Sequence, residues 1–382
     1  MPTIGFCMTN NVSLLEWEKL GQSSRELIYF KKFIEKGYSY KIITYGDNKD
    51  LNIFKERNLE IIPLYSQIKF LPIGSINFLM HLVRIKKKYK SFKNIDILKT
   101  NQLKASYLAI LISFLFKKKI LLRIGYEPLM NLEMRIRNNY FKKNKFKNIL
   151  HYLKLYFSEL ISYNFSSHIT CTTSIQKKFI IKRFLIKKSK ITVIPNWVET
   201  NIFYPSIRDI KKRGILFVGR LEVEKNPELL VKSLEGINEK LTIIGSGSLK
   251  KNLLNLASSL NVNIEILDPI PNIELVEYYR KCKIYVIPSF YEGNPKSLLE
   301  AMACGCSVIG KNTIGIKNII GKNRGILFNT IDDLKKSILH LLSDNEKAFE
   351  YSRIATDFIH KNNNIEFCLE KEKRIIKKIL NF

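Results

Sequence analysis

Residues Pro288 to Gly305 read PSFYEGNPKSLLEAMACG and place two carboxylates, Glu292 and Glu300, around a predicted helix start. Pro295 suits the first turn of a helix, where its missing N–H leaves nothing unpaired. Leu298, Leu299 and Met302 follow at helical spacing until Gly305 supplies a stop. Glu292 then sits before the helix and Glu300 within it. The first N–H groups of a helix have no intrahelical acceptor and the dipole there favours negative charge. Gly293, Asn294, Pro295, Lys296 and Ser297 would therefore border a place for a phosphate or an electron-rich hydroxyl. A carboxylate on either side accepts hydroxyl hydrogens strongly. Phosphate in the middle and polyol at each end describes a sugar nucleotide. A surface helix with incidental acids, complementing the helix dipole, is the other reading of the same residues.

The segment resembles the Glu, seven residues, Glu signature of the retaining glycosyltransferases of family 4. Members of that family often read EGxPxxLLEAMAxGxPVI where this chain has EGNPKSLLEAMACGCSVI. Further matches follow in the family's order. Ile215 to Asn226, ILFVGRLEVEKN, resembles a strand followed by GRL and a lysine, in which Arg220 and Lys225 would contact the donor diphosphate. The chemistry is sensible by itself, since an apolar strand ending at Gly219 puts Arg220 at a carboxyl end, where open α/β sheets bind ligands. As an isolated motif it is weak, because basic residues after strands are frequent in so lysine-rich a chain. Leu241 to Gly247, LTIIGSG, is a second apolar run, whose Gly245 and Gly247 would let a backbone approach a nucleotide. Ile273 to Ser289 resembles the family's helix and strand leading to the Glu292 loop. Ile191 to Pro205, ITVIPNWVETNIFYP, resembles the segment that closes the first domain, with Trp197 where glycine is usual.

The amino-terminal half matches more loosely. After a turn at Gly21, whose loop faces the cleft in the family and would contact a donor phosphate, an amphipathic helix is predicted with Leu27, Phe30 and Ile34 on one face, ended by Gly37. Tyr40 to Tyr45, Asp96 to Thr100, Lys119 to Ile124 and Ile169 to Thr173 read as strands, and the apolar run around Tyr107 to Phe116 as a core helix too short to span a membrane. Relatives often carry a histidine after the strand that here ends near Arg123, and it meets the donor sugar. This chain has no histidine there. Arg123 or Glu127 is left as a candidate contact to sugar or acceptor, and Arg123 pairing with a structural acid is the equal alternative.

The resemblance implies an α/β protein of two Rossmann-like domains facing across a cleft, the GT-B architecture. Its 382 residues suit two domains, each large enough for its own core. The expected division is 1–196 for the acceptor side, 197–364 for the nucleotide-sugar side and 365–382 for a helix packing back on the first domain. No Asp-x-Asp motif is present, which favours the metal-independent two-domain class, so neither metal nor other cofactor is expected. None of the five histidines sits in a catalytic motif. The six cysteines, Cys7, Cys171, Cys282, Cys304, Cys306 and Cys368, form no zinc pattern and read as reduced apolar fillers. The start, MPTIGFCMTN, lacks the regions of a signal peptide, so a cytoplasmic protein is expected.

The formal net charge of +30 is unevenly placed: between Glu133 and Glu199 the only acid is Glu159, against fourteen Lys and Arg. Three readings arise. Arg135, Arg137, Lys142, Lys143, Lys145 and Lys147, interleaved with aromatics and leucines, would hold a peripheral enzyme on an anionic inner membrane face. Nucleic-acid binding needs more than a basic patch, and no recognised motif accompanies this one. Compositional drift towards Lys, Ile, Asn and Phe accounts for part of the excess.

The resulting expectation is a retaining, metal-independent hexosyl- or N-acetylhexosaminyltransferase. It would move a sugar from a nucleotide-diphosphate donor, a UDP-sugar first, to a glycan or lipid-linked acceptor of capsule, O-antigen or lipopolysaccharide. Arg220 and Lys225 would neutralise the diphosphate, Glu300 accept from ribose hydroxyls, and Glu292 hold a donor-sugar hydroxyl and support positive charge at the reacting carbon. A nucleotide-sugar epimerase of the same architecture and a non-catalytic basic membrane- or nucleic-acid-binding protein are the alternatives.

Overall fold

Apolar runs of four to six residues, each followed by a turn and a helix, dictate parallel sheets covered on both faces. The computed structural model describes residues 1–65, 83, 85–86, 89–137, 145–207 and 212–381. The chain divides into two units, Met1–Ile194 with Leu369–Phe382, and Pro195–Cys368.

In the first unit the strands are β1 (Thr3–Cys7), β2 (Ser39–Thr44), β3 (Leu59–Pro63), β4 (Ile97–Thr100), β5 (Lys119–Ile124), β6 (His168–Cys171) and β7 (Ile191–Val193). They pair throughout in parallel in the order β3-β2-β1-β4-β5-β6-β7. β6 stops before Thr172 and Thr173, two residues short of the predicted strand. Thr173 instead caps the helix Ser174–Phe184, its side chain accepting from the Gln176 N–H. The helix Ser23–Glu35 buries Tyr29, Phe30 and Phe33, whereas Leu27 and Ile34, predicted to lead its inner face, are half-buried. The aromatic rings decide the face, because Phe30 and Phe33 close on Tyr40 of β2 at 4.9 and 5.8 Å between centroids. The helix Ser106–Phe116 packs Leu108, Ala109 and Ile112 inward, but it is core on one side only: Phe114 is 81% exposed. From Leu369 onward the helix Ile365–Leu380 belongs to this unit. Glu372 makes an ion pair with Lys99 of β4 and accepts from Tyr29, while Lys119 donates to the Ile379 carbonyl.

In the second unit β8 (Arg213–Val218), β9 (Leu241–Ile244), β10 (Ile264–Leu267), β11 (Cys282–Ile287), β12 (Ser307–Lys311) and β13 (Ile326–Phe328) pair in parallel in the order β10-β9-β8-β11-β12-β13. Alternate residues feed two cores, one on each face of this sheet. Leu216, Tyr285, Ile287 and Val308 enter one, and Ile215, Phe217, Ile284, Val286 and Ile309 the other. Both sheets thus have the order of a Rossmann fold, and the expectation of two such domains holds. None of the six cysteines forms a disulfide, and all are buried. The closest sulfurs are Cys282 and Cys306 at 3.2 Å, brought together by the β11–β12 pairing rather than by nearness in sequence. No helix among the described residues is long and apolar enough to cross a membrane.

Candidate functional site

In the second unit the strand order reverses between β8 and β11, so the loops leaving their carboxyl ends diverge and open a crevice. Arg220 and Lys225 follow β8, and Glu292 follows β11, so the topology alone brings them together. The Phe290 N–H donates to the Glu224 carbonyl at 3.0 Å and ties the two loops. Behind them lies the Gly245–Gly247 turn. Both glycines have positive φ, and a Cβ on Gly245 would fall 1.9 Å from the Gly219 carbonyl oxygen, one on Gly247 2.4 Å from that of Leu221. The close approach they permit here is therefore that of the Gly219–Leu221 backbone, which the turn holds through the Leu221 N–H to the Ser246 carbonyl at 2.8 Å. Glu222, predicted for no role, accepts from both the N–H and the hydroxyl of Ser248 and closes the same turn.

Lys225 Nζ lies 2.5 Å from Glu292 Oε1, and Ser289 donates to the same oxygen at 2.9 Å. Arg220 is more exposed and pairs with Glu224 at 2.8 Å, a surface contact of little energetic weight that an incoming anion can displace. Two cations thus border a turn in which one carboxylate is already fixed in place.

The helix of the opening motif runs Lys296–Ala303, and Pro295 is its N-cap rather than its first residue, with φ −68° and ψ 119°. Extended ψ at Pro295 follows from the loop being pinned just before it. The Asn294 side chain accepts from the Asn196 N–H at 2.7 Å, and its carbonyl accepts from the Asn196 side chain at 2.6 Å. Trp197 has a use unseen in the sequence, its ring lying 5.4 Å from Lys296 Nζ. Ser297 meets the Tyr285 hydroxyl at 2.8 Å. Gly315, also unpredicted, sits against the loop so closely that a Cβ would fall 2.1 Å from the Glu292 carbonyl oxygen and 2.4 Å from that of Gly293.

Glu300 is 3% exposed, and its two oxygens accept from Asn272 at 3.0 Å and Tyr279 at 3.3 Å. Burial and the Glu300 charge hold the Tyr279 phenol well above its ordinary value, so it stays a donor to that carboxylate. Neither Asn272 nor Tyr279 stands in a readable motif. Only the chain's path through the turn before the helix Leu275–Lys281 puts them under Glu300.

In the first unit Gly21 adopts φ +65° in the turn before Ser23–Glu35. Arg123 is half-buried in β5, its N–H donating to the Thr100 hydroxyl at 2.9 Å. Glu127 does not present its carboxyl to solvent: it is fully buried and accepts from the Tyr163 hydroxyl. Glu159 is also buried and accepts from the Leu129 N–H at 2.8 Å. Lys142 and Lys143 lie outside the described residues. Arg135 and Arg137 stand in the helix Pro128–Arg137, and Lys145 and Lys147 open the helix Lys145–Phe165.

Burial, then the neighbouring Glu159 charge, holds the Glu127 carboxyl well above the usual carboxylate range, and burial pushes Glu159 up to about 7. Such a group keeps its proton in the folded state after the unfolded chain has lost it. For Glu159 the stability it contributes is complete below the ordinary value of 4.5 and lost as pH rises through about 7, and for Glu127 the loss runs in the same direction. Glu127→Gln keeps an acceptor for Tyr163 and removes the acid. It is therefore expected to gain stability over the parent at pH 8 relative to pH 5, as read by urea unfolding of both proteins. A difference that does not change with pH would show that Glu127 does not hold its proton above the ordinary carboxylate range.

Residues 30–202 match the family model "Glycosyltransferase Family 4" and residues 199–358 the model "Glycosyl transferases group 1". Among curated proteins, the chain is 28% identical over 200 residues to the N-acetylgalactosamine-N,N'-diacetylbacillosaminyl-diphospho-undecaprenol 4-alpha-N-acetylgalactosaminyltransferase of Campylobacter jejuni, covering 47% of this chain and 55% of the relative. It is 28% identical over 214 residues to the UDP-Gal:alpha-D-GlcNAc-diphosphoundecaprenol alpha-1,3-galactosyltransferase of Escherichia coli, covering 49% and 54%. The chain spans about half the length of these relatives. HepE of Anabaena, solved with UDP, superposes with a TM-score of 0.76 at 14% identity over 99% of this chain and all of that one, which bears on fold alone. The fold is GT-B, and the matches support a glycosyltransferase.

Proposed function

We propose, from the premise of a GT-B chain whose two halves match glycosyltransferase models, that it moves a sugar from a nucleotide-diphosphate donor to a lipid-linked or glycan acceptor in polysaccharide synthesis. The observation that carries the reading is the meeting, at the switch point of the second sheet, of Lys225 with Glu292 and of their loops with the turn before Glu300. Both named relatives act on undecaprenol-linked acceptors, and one takes UDP-galactose, which favours a UDP-sugar and a lipid-carried acceptor. Nothing in these matches favours an epimerase or a non-catalytic binding protein.

Lys225 and Arg220 neutralise the diphosphate, and Glu224 yields Arg220 to it. The donor ribose reaches Glu300, whose charge Asn272 and Tyr279 hold in place. Glu292, with Oε1 taken by Lys225 and Ser289, offers its other oxygen to a donor-sugar hydroxyl and to positive charge at the anomeric carbon. The leaving phosphate oxygen takes the acceptor hydroxyl's proton on the face it departs from, which gives retention without a protein base or a metal.

The test is a thermal-shift screen with UDP, GDP, ADP and CMP sugars on the parent chain and on Arg220→Ala and Glu300→Ala. A donor at a hundred times its Kd stabilises by about 2.7 kcal/mol. One nucleotide is expected to raise Tm in the parent and not in either variant. No shift with any donor would overturn the proposed site.

A further inference from the structure

A helix that is apolar all round is ordinarily buried all round. The helix Lys145–Phe165 is apolar on two opposite faces and only one of them is covered. Tyr152, Leu155, Tyr156 and Leu160 pack on the core around Tyr163 and Phe184. On the other side Ile149, Leu153, Phe157, Ile161 and Phe165 recur every fourth residue, a ridge inclined to the helix axis, and all are exposed, between 43% and 64%. A hydrogen bond of 2.7 Å between Ser106 and Ser162 sets the helix Ser106–Phe116 beside this row, and Tyr107, next to Ser106, is 40% exposed.

We infer that this row is a docking face for an anionic lipid bilayer. Charge selects the occupant. Glu159 is the only acid between Glu133 and Glu199, and it is fully buried, so the surface contributed by residues 134–198 carries no carboxylate. Fourteen Lys and Arg come from that same stretch, and Lys154 stands exposed within the row's own turns. A second copy of this face would set like charges against like. A bilayer with acidic headgroups accepts both the apolar row and the cations around it. The inference deepens the proposed lipid-carried acceptor and rests on that reading for its biological use, but its test needs no activity.

The full chain is sedimented with vesicles of phosphatidylcholine alone and with phosphatidylglycerol added, beside the triple variant Leu153→Ser, Phe157→Ser, Ile161→Ser. These positions are exposed, so the variant keeps its fold, and an unchanged circular dichroism spectrum and an unchanged Tm without donor check that. The parent is expected to partition onto the anionic vesicles and the variant at least roughly tenfold more weakly, since binding scales with the apolar area inserted. A parent that stays in the supernatant, equal binding to both vesicles, or a variant that binds as the parent does would overturn the inference. So would a parent that is dimeric by light scattering and a variant that is monomeric with undiminished vesicle binding. Failure here with an intact donor shift leaves the proposed function standing, and the reverse result leaves the lipid face standing.

Discussion

Glu292→Gln is expected to slow turnover by roughly 10²–10³-fold while donor affinity stays level or tightens. The substitution keeps the shape of the side chain and removes its charge. A carboxylate beside the anomeric carbon matters most when positive charge develops there, so its loss falls on the transition state rather than on the bound donor. The ground state is affected through Lys225, whose Nζ lies 2.5 Å from Glu292 Oε1. With a neutral partner the ammonium turns its full charge to the diphosphate, and binding gains what catalysis loses. A residue that merely held the loop together would weaken both. Isothermal titration of donor together with initial rates of sugar transfer separates the two cases. An unaltered rate would remove Glu292 from the mechanism, and a matching loss of affinity would make it structural.

The parts of this site legible in the sequence are those fixed by local rules. The alternation of short apolar runs and turns gave both sheets. Arg220, Lys225 and Glu292 follow strands, and strand ends are where the doubly wound topology gathers ligand-binding side chains. What was not legible depends on contacts between segments distant in the chain. Asn272 and Tyr279 under Glu300, Asn196 on Asn294 and Gly315 against the Glu292 carbonyl are residues of ordinary kinds, whose neighbours only the folded chain supplies. The helix Ser23–Glu35 shows the same limit. Its period was plain, but which of its apolar residues face inward was settled by the rings of Phe30 and Phe33 closing on Tyr40. Glu127 is the sharpest case. Its place after β5 suggested contact with sugar, whereas Tyr163, thirty-six residues on, draws the carboxyl into the core.

Glu372→Ala should cost about 3–5 kcal/mol, because it leaves the Lys99 ammonium buried without its counter-charge. Lys99 and Glu372 are 3% and 0% exposed, and the surroundings of Lys99 are aromatic, with its Nζ 4.6 Å from the Tyr29 ring centre and 5.7 Å from that of Phe33. Burial already lowers the Lys99 pKa, and Glu372 is the chief influence opposing it. Without the carboxylate the lysine must either stay charged in that setting or give up its proton, and both are unfavourable to folding. Tyr29, which donates to Glu372 at 3.0 Å, would lose its acceptor as well. For a unit of this size the loss corresponds to a fall of roughly 6–20 °C in Tm. Trp17 is buried in the first unit and Trp197 belongs to the second, so fluorescence in a Trp197→Phe background follows the right transition. The pair itself need not be stabilising, since replacing both charges by apolar groups of similar volume removes two desolvation costs together. Lys99→Met, Glu372→Leu and Tyr29→Phe combined should therefore recover most of the stability that Glu372→Ala alone loses. A single variant that unfolds within about 1 kcal/mol of the parent would show that the carboxyl-terminal helix does not depend on this pair for its place in the first unit.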